Sequence, residues 1–146
     1  MPQYPIAVEF RNSLWLADDG RERTISFLQK NQIPLVCVDE PQGFSSSAPP
    51  IAAVTAATSI VRFHGRNRET WTKKMSTAAE RFDYLYSEEE LREWLPRLRR
   101  LEEEAEEVHV LMNNCQRDYA VRNASQMAHL LHQREPESEA GQRRLL

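Results

Sequence analysis

The chain has 146 residues, with 19 basic and 22 acidic side chains and a formal net charge of −3 at pH 7. A content of 40% hydrophobic and 28% charged residues excludes a disordered or fibrous protein, and the length suits one domain with a buried core. The sequence has no apolar run of roughly 18 residues for a membrane span, no signal-peptide pattern and no CxxC pair, so we expect a cytoplasmic protein with reduced thiols.

Four short apolar runs that are rich in β-branched residues predict β-strands. The loops that follow the second and third of them, Glu40–Thr58 and Gly65–Tyr86, are long, as is common for functional segments. The four predicted strands are Ile6–Phe10, Leu35–Asp39, Ser59–His64 and Val108–Asn113.

Three helices are predicted from apolar residues at helical spacing. The first lies within Arg21–Asn31, the second spans Ser87–Glu104 with either a bend at Pro96 or a first turn offset from the remainder, and the third runs from the N-cap Asp118 through Leu131. The apolar face of the first helix consists of Ile25, Phe27 and Leu28. The apolar face of the third consists of Ala124, Met127, Ala128 and Leu131.

The alternation of strands and helices predicts an α/β fold with four parallel strands joined by right-handed crossovers. The strands and helices all fall within residues 1–132, which we assign to one domain. The polar residues 133–146 are predicted to form a flexible tail.

Side chains alternate between the two faces of a strand, so each run divides into two sets. One set is apolar throughout and is predicted to pack against the helices; it contains Val8, Val36, Val38, Val61, Phe63, Val110 and their apolar neighbours. The other set becomes polar toward the C-terminal end of each strand, at Glu9, Arg11, Asp39, Arg62, His64 and Asn113. Parallel strands bring these ends to one edge, where α/β proteins bind ligands, so we expect one shared cavity. The alternative is that the strands simply end in solvent.

A histidine, carboxylates and arginines around one cavity favour acid/base chemistry on an anionic substrate. His64 is the predicted proton-transfer group because histidine titrates near neutral pH, and Glu9 and Asp39 are the predicted catalytic carboxylates. The same three residues form a mixed oxygen and nitrogen set that is compatible with a divalent metal ion. The predicted ligand-binding residues, chiefly for phosphate oxygens, are Arg11, Arg62, Arg66, Asn67, Asn113 and Asn114.

The segment Arg62–Lys74 favours a second function, because it carries five basic residues and one acidic residue. Trp71, Tyr84 and Tyr86 lie in or beside it and have the ring faces on which nucleic-acid bases stack. A nucleic-acid-binding module without catalysis is therefore an alternative to a small-molecule site. A solvated loop, or a lid closed by aromatic side chains, also accounts for this composition.

Motifs for several common enzyme classes are missing from the sequence. It contains no GxGxxG, GxxxxGK[ST], HExxH or GxSxG pattern, so nucleotide-loop, zincin and serine-hydrolase functions have no support. Function must therefore be inferred from the predicted edge of the sheet.

Five segments in order resemble the YecE-like family, known as domain of unknown function 72. They are VEFRNSLWL, LVCVDEPQGF, VRFHGRNRETW, FDYLYSEEEL and NNCQRDYAVRNA, and the resemblance extends from about Ile6 to Leu131. It implies a TIM-barrel-like fold in which the four predicted strands are the last four of eight. It also implies that the mouth of the barrel is lined by Glu9, Arg11, Asp39, His64, Arg66, Asn113 and Asn114. Other barrels of similar fold suggest a phosphorylated sugar or a nucleic acid as ligand, by analogy alone.

The chain departs from this family in length, since a complete (β/α)8 barrel takes about 250 residues. Four strands supply half of a barrel, the family's C-terminal half, and leave two sheet edges open. We expect either a homodimer of half-barrels or a separate chain that supplies the N-terminal half. An inactive truncated fragment is the remaining interpretation.

Overall fold

The fold is an α/β arrangement, seen in a computed structural model that describes residues 4–132. The predicted tail, residues 133–146, lies outside the described residues. A 3₁₀ turn at Ser13–Trp15 precedes the first helix. The helices are α1 (Asp18–Lys30), α2 (Ala78–Arg81), α3 (Glu88–Arg92), α4 (Leu95–Glu104) and α5 (Tyr119–His132). The strands are β1 (Val36–Asp39), β2 (Thr58–Phe63) and β3 (Glu107–Met112).

The three strands form one parallel sheet in the order β1-β2-β3. Each lies within one residue of its predicted bounds, which confirms the second, third and fourth predicted strands. Their C-terminal ends therefore share one edge of the sheet, as the sequence indicated.

The prediction of a full first strand at Ile6–Phe10 is wrong, since this segment pairs with the sheet only through Val8. The Val8 N–H donates to the Pro34 carbonyl at 2.9 Å, and its carbonyl accepts from the Val36 N–H at 2.8 Å. The next ladder bond toward the N-terminus would need an N–H on Pro34, which proline lacks. Pairing therefore stops at a single parallel bridge.

The predicted helix at Ser87–Glu104 consists of α3 and α4, and Pro96 lies in the first turn of α4. We expected a bend at this proline. Proline is tolerated in the first turn of a helix because the backbone N–H that it lacks would have no partner inside the helix there. Ser87 and Glu90 form the capping box that begins α3. Leu98 and other apolar residues of the two helices are buried in the core.

The core lies between the sheet and the helices, with the Phe63 ring packed edge-on against Tyr86 and Trp94. Two predicted helix faces differ from the structure. Phe27 of α1 is exposed rather than buried, and α5 buries Asn123, Met127 and Leu130 while the predicted Ala124 and Ala128 are exposed. Both cysteines are free thiols, and no helix within residues 4–132 is long and apolar enough to cross a membrane.

Candidate functional site

The faces of β1 are opposite to those predicted. Residues paired in a parallel sheet share a face, and the pairs here are Val38 with Arg62 and Asp39 with Phe63. Asp39 therefore lies on the face covered by helices, not on the face of Arg62. All four residues of β1 are buried, so the strand has no polar alternation from which its faces could be assigned.

Asp39 is a buried structural carboxylate whose donors come from three other parts of the chain. Its oxygens accept hydrogen bonds from the Tyr86 hydroxyl at 2.7 Å and from the Trp94 indole N–H at 2.6 Å. The Arg66 guanidinium forms a two-pronged contact with it at 2.9 and 2.7 Å and also reaches Glu93 at 2.9 Å. Asp39 and Arg66 were predicted as catalytic and ligand-binding residues; in the structure they pair with each other, and their other partners are Tyr86, Trp94 and Glu93.

Glu9 is the centre of the charged cluster at the C-terminal edge of the sheet. One of its oxygens contacts Arg62 Nη1, and the other lies 3.0 Å from Arg11 Nη1 and 3.3 Å from His64 Nε2. Burial raises the pKa of the Glu9 carboxyl, but His64, Arg11 and Arg62 lower it more, to about 2. Glu9 is thus ionised at neutral pH, and two guanidinium groups share its single negative charge.

His64 is buried and held in one orientation. The Asn113 amide N–H₂ donates to His64 Nδ1 at 2.9 Å, so the neutral ring carries its proton on Nε2. The ring packs against Phe82 and Trp71, with centroid distances of 5.6 and 6.2 Å. Nε2 lies near Glu9 but is not aligned for a hydrogen bond, and it has no other partner among residues 4–132.

Glu40 belongs to this cluster and was missed in the sequence. Its Oε1 accepts from the Ala48 N–H at 2.6 Å, and its Oε2 lies 3.6 Å from Arg11 Nη1. Burial raises the pKa of the Glu40 carboxyl to about 7, against the lowering effects of the Ala48 N–H and of Arg11. Glu40 directly follows β1 and lies two residues after Val38, so the two residues share a face. Assigning Val38 to the face of Arg62 would therefore have identified Glu40 as a member of the cluster.

Two predicted ligand-binding asparagines have structural roles away from the cluster. Asn67 closes a turn, accepting from the backbone N–H groups of Glu69 and Thr70. Asn114 is fully buried and donates to the Tyr84 carbonyl and to Asn123 of α5. The structure therefore brings together Glu9, Arg11, Arg62, His64 and Asn113, and it places Asp39, Arg66, Asn67 and Asn114 elsewhere.

The predicted metal set does not assemble, because Asp39 lies on the opposite face from Glu9 and His64. Within the described part of the chain, no group of three or more His, Cys, Asp or Glu side chains is arranged to hold a metal ion. The arrangement present is instead two arginines, the carboxylates of Glu9 and Glu40, and an oriented histidine.

The aromatic residues of the basic segment are not free to stack on bases. Trp71 and Tyr86 are buried, and the Arg11 guanidinium covers the Trp71 ring at 5.0 Å from its centroid. The Tyr84 hydroxyl donates a hydrogen bond to the Glu90 carboxylate, and the Tyr84 side chain is half-buried. In this arrangement the Trp71 and Tyr86 rings are packed inside the fold.

Comparisons with known proteins agree on one family. The model of the family described as "Protein of unknown function DUF72" matches residues 1–144. The UPF0759 protein YunF of Bacillus subtilis (strain 168) is 37% identical over 136 residues, which is 90% of this chain and 48% of that protein.

Solved structures give the same result. A DUF72 family protein from Enterococcus faecalis V583 is similar with a TM-score of 0.81 and 32% identity, over 92% of this chain and 50% of its own. One from Thermotoga maritima MSB8 has a TM-score of 0.77 and 35% identity, over 89% of this chain and 47% of its own. This chain therefore spans about half the length of the relatives it matches.

Proposed function

This chain belongs to the DUF72 family, and we propose that it binds a phosphate-bearing ligand beside the cluster around Glu9. The observation that carries the proposal is that Arg11 and Arg62 both contact Glu9, with Glu40 Oε2 a further 3.6 Å from Arg11. Their side chains are 43% and 32% exposed, so each arginine is partly accessible to a ligand. Charge-assisted hydrogen bonds from arginine to phosphate are among the stronger contacts in proteins.

His64 is the proposed acid/base residue of this site. Its neutral ring carries a proton on Nε2, 3.3 Å from Glu9 Oε1, the oxygen that also contacts Arg11. A proton donor beside a bound anion fits hydrolase or isomerase chemistry, in which a leaving or carbonyl oxygen is protonated. The proposed location of this activity is the cytoplasm.

The proposal predicts that inorganic phosphate binds and that Arg62→Ala weakens its affinity by about 10- to 100-fold, as expected for loss of a charge-assisted contact. Isothermal titration calorimetry at low ionic strength measures this. Arg100→Ala is the matched control, because Arg100 is an exposed arginine paired with Glu104 on α4. Equal binding by the two variants would contradict the proposed site.

Nucleic-acid binding is the competing outcome of the same experiment. A single-stranded oligonucleotide that binds more tightly than phosphate, with affinity that falls steeply as salt rises, would favour it. The exposed Lys73 and Lys74 would then be the contacts, and Lys73→Ala would weaken binding while Arg62→Ala would have less effect.

We also propose that the parallel sheet is half of a (β/α)8 barrel, completed by a second copy of the chain. Leu111 pairs with Arg62 in the register and is 46% exposed on that face, where a closed barrel would bury it. A groove of about 770 Å³ runs beside the segment at Val8, and its lining includes the exposed side chains of Leu14, Trp15 and Phe27. Three large exposed apolar side chains around one groove favour a protein–protein interface.

Light scattering is expected to give a mass of twice 17.0 kDa. The double substitution Trp15→Ser and Phe27→Ser should shift the mass to one copy, because it removes the apolar groups of the groove. Val121→Ser, at an equally exposed apolar residue of α5, is the control and should not change the mass. A single-copy mass for the unmodified chain at every concentration would contradict the dimer and favour a separate half-barrel chain.

A further inference from the structure

The sheet has two open edges, and a groove lies beside each of them. Groove 1 is the groove of about 770 Å³ beside the segment at Val8. The other edge is β3, which pairs with β2 on one side and with no further strand among residues 4–132. Groove 2, of about 510 Å³, lies beside this strand, between α4 and α5. The apolar lining of groove 2 includes Leu98, Val108, Val110, Ala128 and Leu131.

Groove 2 lies where the helix-covered face of the sheet is incompletely buried. Val61 of the central strand is fully buried, whereas Val110, its partner in the register of β3, is only half-buried. The two valines share a face, so the difference between them reflects the open edge beside β3. Burial of apolar surface is favourable, and a chain that covers this groove would therefore gain affinity from it.

The charges of the two grooves are complementary. Groove 1 contains the exposed Arg23 and no acidic residue among the described residues that line it. Groove 2 contains three exposed carboxylates, those of Glu102, Glu106 and Glu107, and no lysine or arginine in the described part of its lining. Two copies of the same groove would face each other with like charges, whereas groove 1 and groove 2 attract each other.

The direction of the strands also decides which edges can meet. A two-fold axis parallel to the strands, on the side of the Arg62 face, keeps every strand parallel and turns that face inward in both copies. It places β3 of each copy beside the Val8 segment of the other. Contact between two identical edges would make the strands antiparallel, or would leave the two Arg62 faces on opposite sides of the joined sheet.

We propose that groove 1 of each copy packs against the β3 edge and groove 2 of the other copy, so that the dimer has two identical contacts between unlike surfaces. This inference rests on the proposed second copy and names the surfaces that it uses. In this arrangement the C-terminal ends of all the strands lie at one end of the dimer. The clusters around Glu9 of the two copies therefore share one mouth.

The test is the substitution Ala128→Arg, which places a long, positively charged side chain in groove 2, where Arg23 of the other copy would approach. Ala128 is an exposed helical residue, so the fold should be kept, and circular dichroism checks this. We expect a rise of about 100-fold in the dimer dissociation constant, since about tenfold at each of two contacts is a modest cost for like charges brought together. Light scattering over a concentration series measures it.

Ser125→Arg is the matched control. It adds the same side chain to an exposed position of α5 outside the lining of groove 2, so it should keep the mass of two copies. The mass of Ala128→Arg should be that of one copy at concentrations where Ser125→Arg and the unmodified chain have twice 17.0 kDa.

A mixing experiment distinguishes unlike surfaces from like ones. The double variant Trp15→Ser and Phe27→Ser damages groove 1, and Ala128→Arg damages groove 2. A dimer of either variant alone has two damaged contacts, whereas a mixed dimer has one contact between an intact groove 1 and an intact groove 2. An equimolar mixture should therefore recover the mass of two copies at concentrations where each variant alone has the mass of one.

The outcomes separate this inference from the dimer itself. An Ala128→Arg chain that keeps the mass of two copies would overturn the inference and leave the proposed dimer standing, because groove 2 would then have another occupant or none. A mixture that stays at the mass of one copy would overturn it as well. A single-copy mass for the unmodified chain would overturn both the dimer and the inference.

Discussion

Replacing Asp39 with alanine is expected to lower the free energy of unfolding by about 3–5 kcal/mol, the range for breaking a buried ion pair by removing one partner. The substitution leaves the Arg66 guanidinium, the Tyr86 hydroxyl and the Trp94 N–H without their shared acceptor. Urea denaturation with a linear extrapolation measures the change.

Two further variants separate this effect from simple loss of an acidic residue. Asp39→Asn keeps the shape of the side chain and one acceptor oxygen, so it should lower the free energy of unfolding less than Asp39→Ala does. Asp83→Ala removes an exposed carboxylate from the loop before Tyr84 and should change stability by no more than about 0.5 kcal/mol. A loss for Asp39→Ala as small as that of Asp83→Ala would show that Asp39 is not a structural centre.

The stability of the chain is expected to fall as the pH rises from 4.5 to 7, and Glu40 is the cause. Burial raises the pKa of Glu40 from 4.5 to about 7, so in this window the folded chain holds a proton that the unfolded chain has released. Folding is therefore favoured at low pH and loses this contribution as Glu40 ionises. The full loss is about 3 kcal/mol, because each pKa unit corresponds to 1.36 kcal/mol.

Urea denaturation at several pH values measures this slope. Glu40→Gln removes the ionisable group, so it should flatten the curve between pH 4.5 and 7 and should be more stable than the unmodified chain at pH 8. Glu103→Gln should keep the slope. Glu9 acts in a separate window, because its pKa of about 2 makes its contribution disappear only as the pH falls from 4.5 toward 2. An unchanged slope in Glu40→Gln would contradict the burial of this carboxyl.

Much of the fold was predictable because local signals agree with the tertiary structure. The run at β2 alternates between buried and half-buried residues, so its faces could be assigned, and Arg62 and His64 lie where expected. The capping box at Ser87 marks the start of α3. The position of Pro96 marks the first turn of α4. These features depend on residues close together in the sequence.

The two errors in the strands have one origin, since the structure of both segments is set by distant neighbours. β1 is buried on both faces, so only its register with β2 decides that Glu40, and not Asp39, reaches the charged cluster. Pairing of Ile6–Phe10 depends on Pro34, which is 26 positions after Val8, and no local pattern shows that partnership.

The same proline has a consequence for assembly. A chain that joins the sheet at the outer side of Val8 meets a segment that is not held as a regular strand, so main-chain pairing offers it little affinity. Recognition of the proposed second copy at this border would then depend on the shapes of Leu14, Trp15 and Phe27. An interface that depends on side-chain shape is selective for one partner surface. It also does not favour open-ended addition of strands to the sheet.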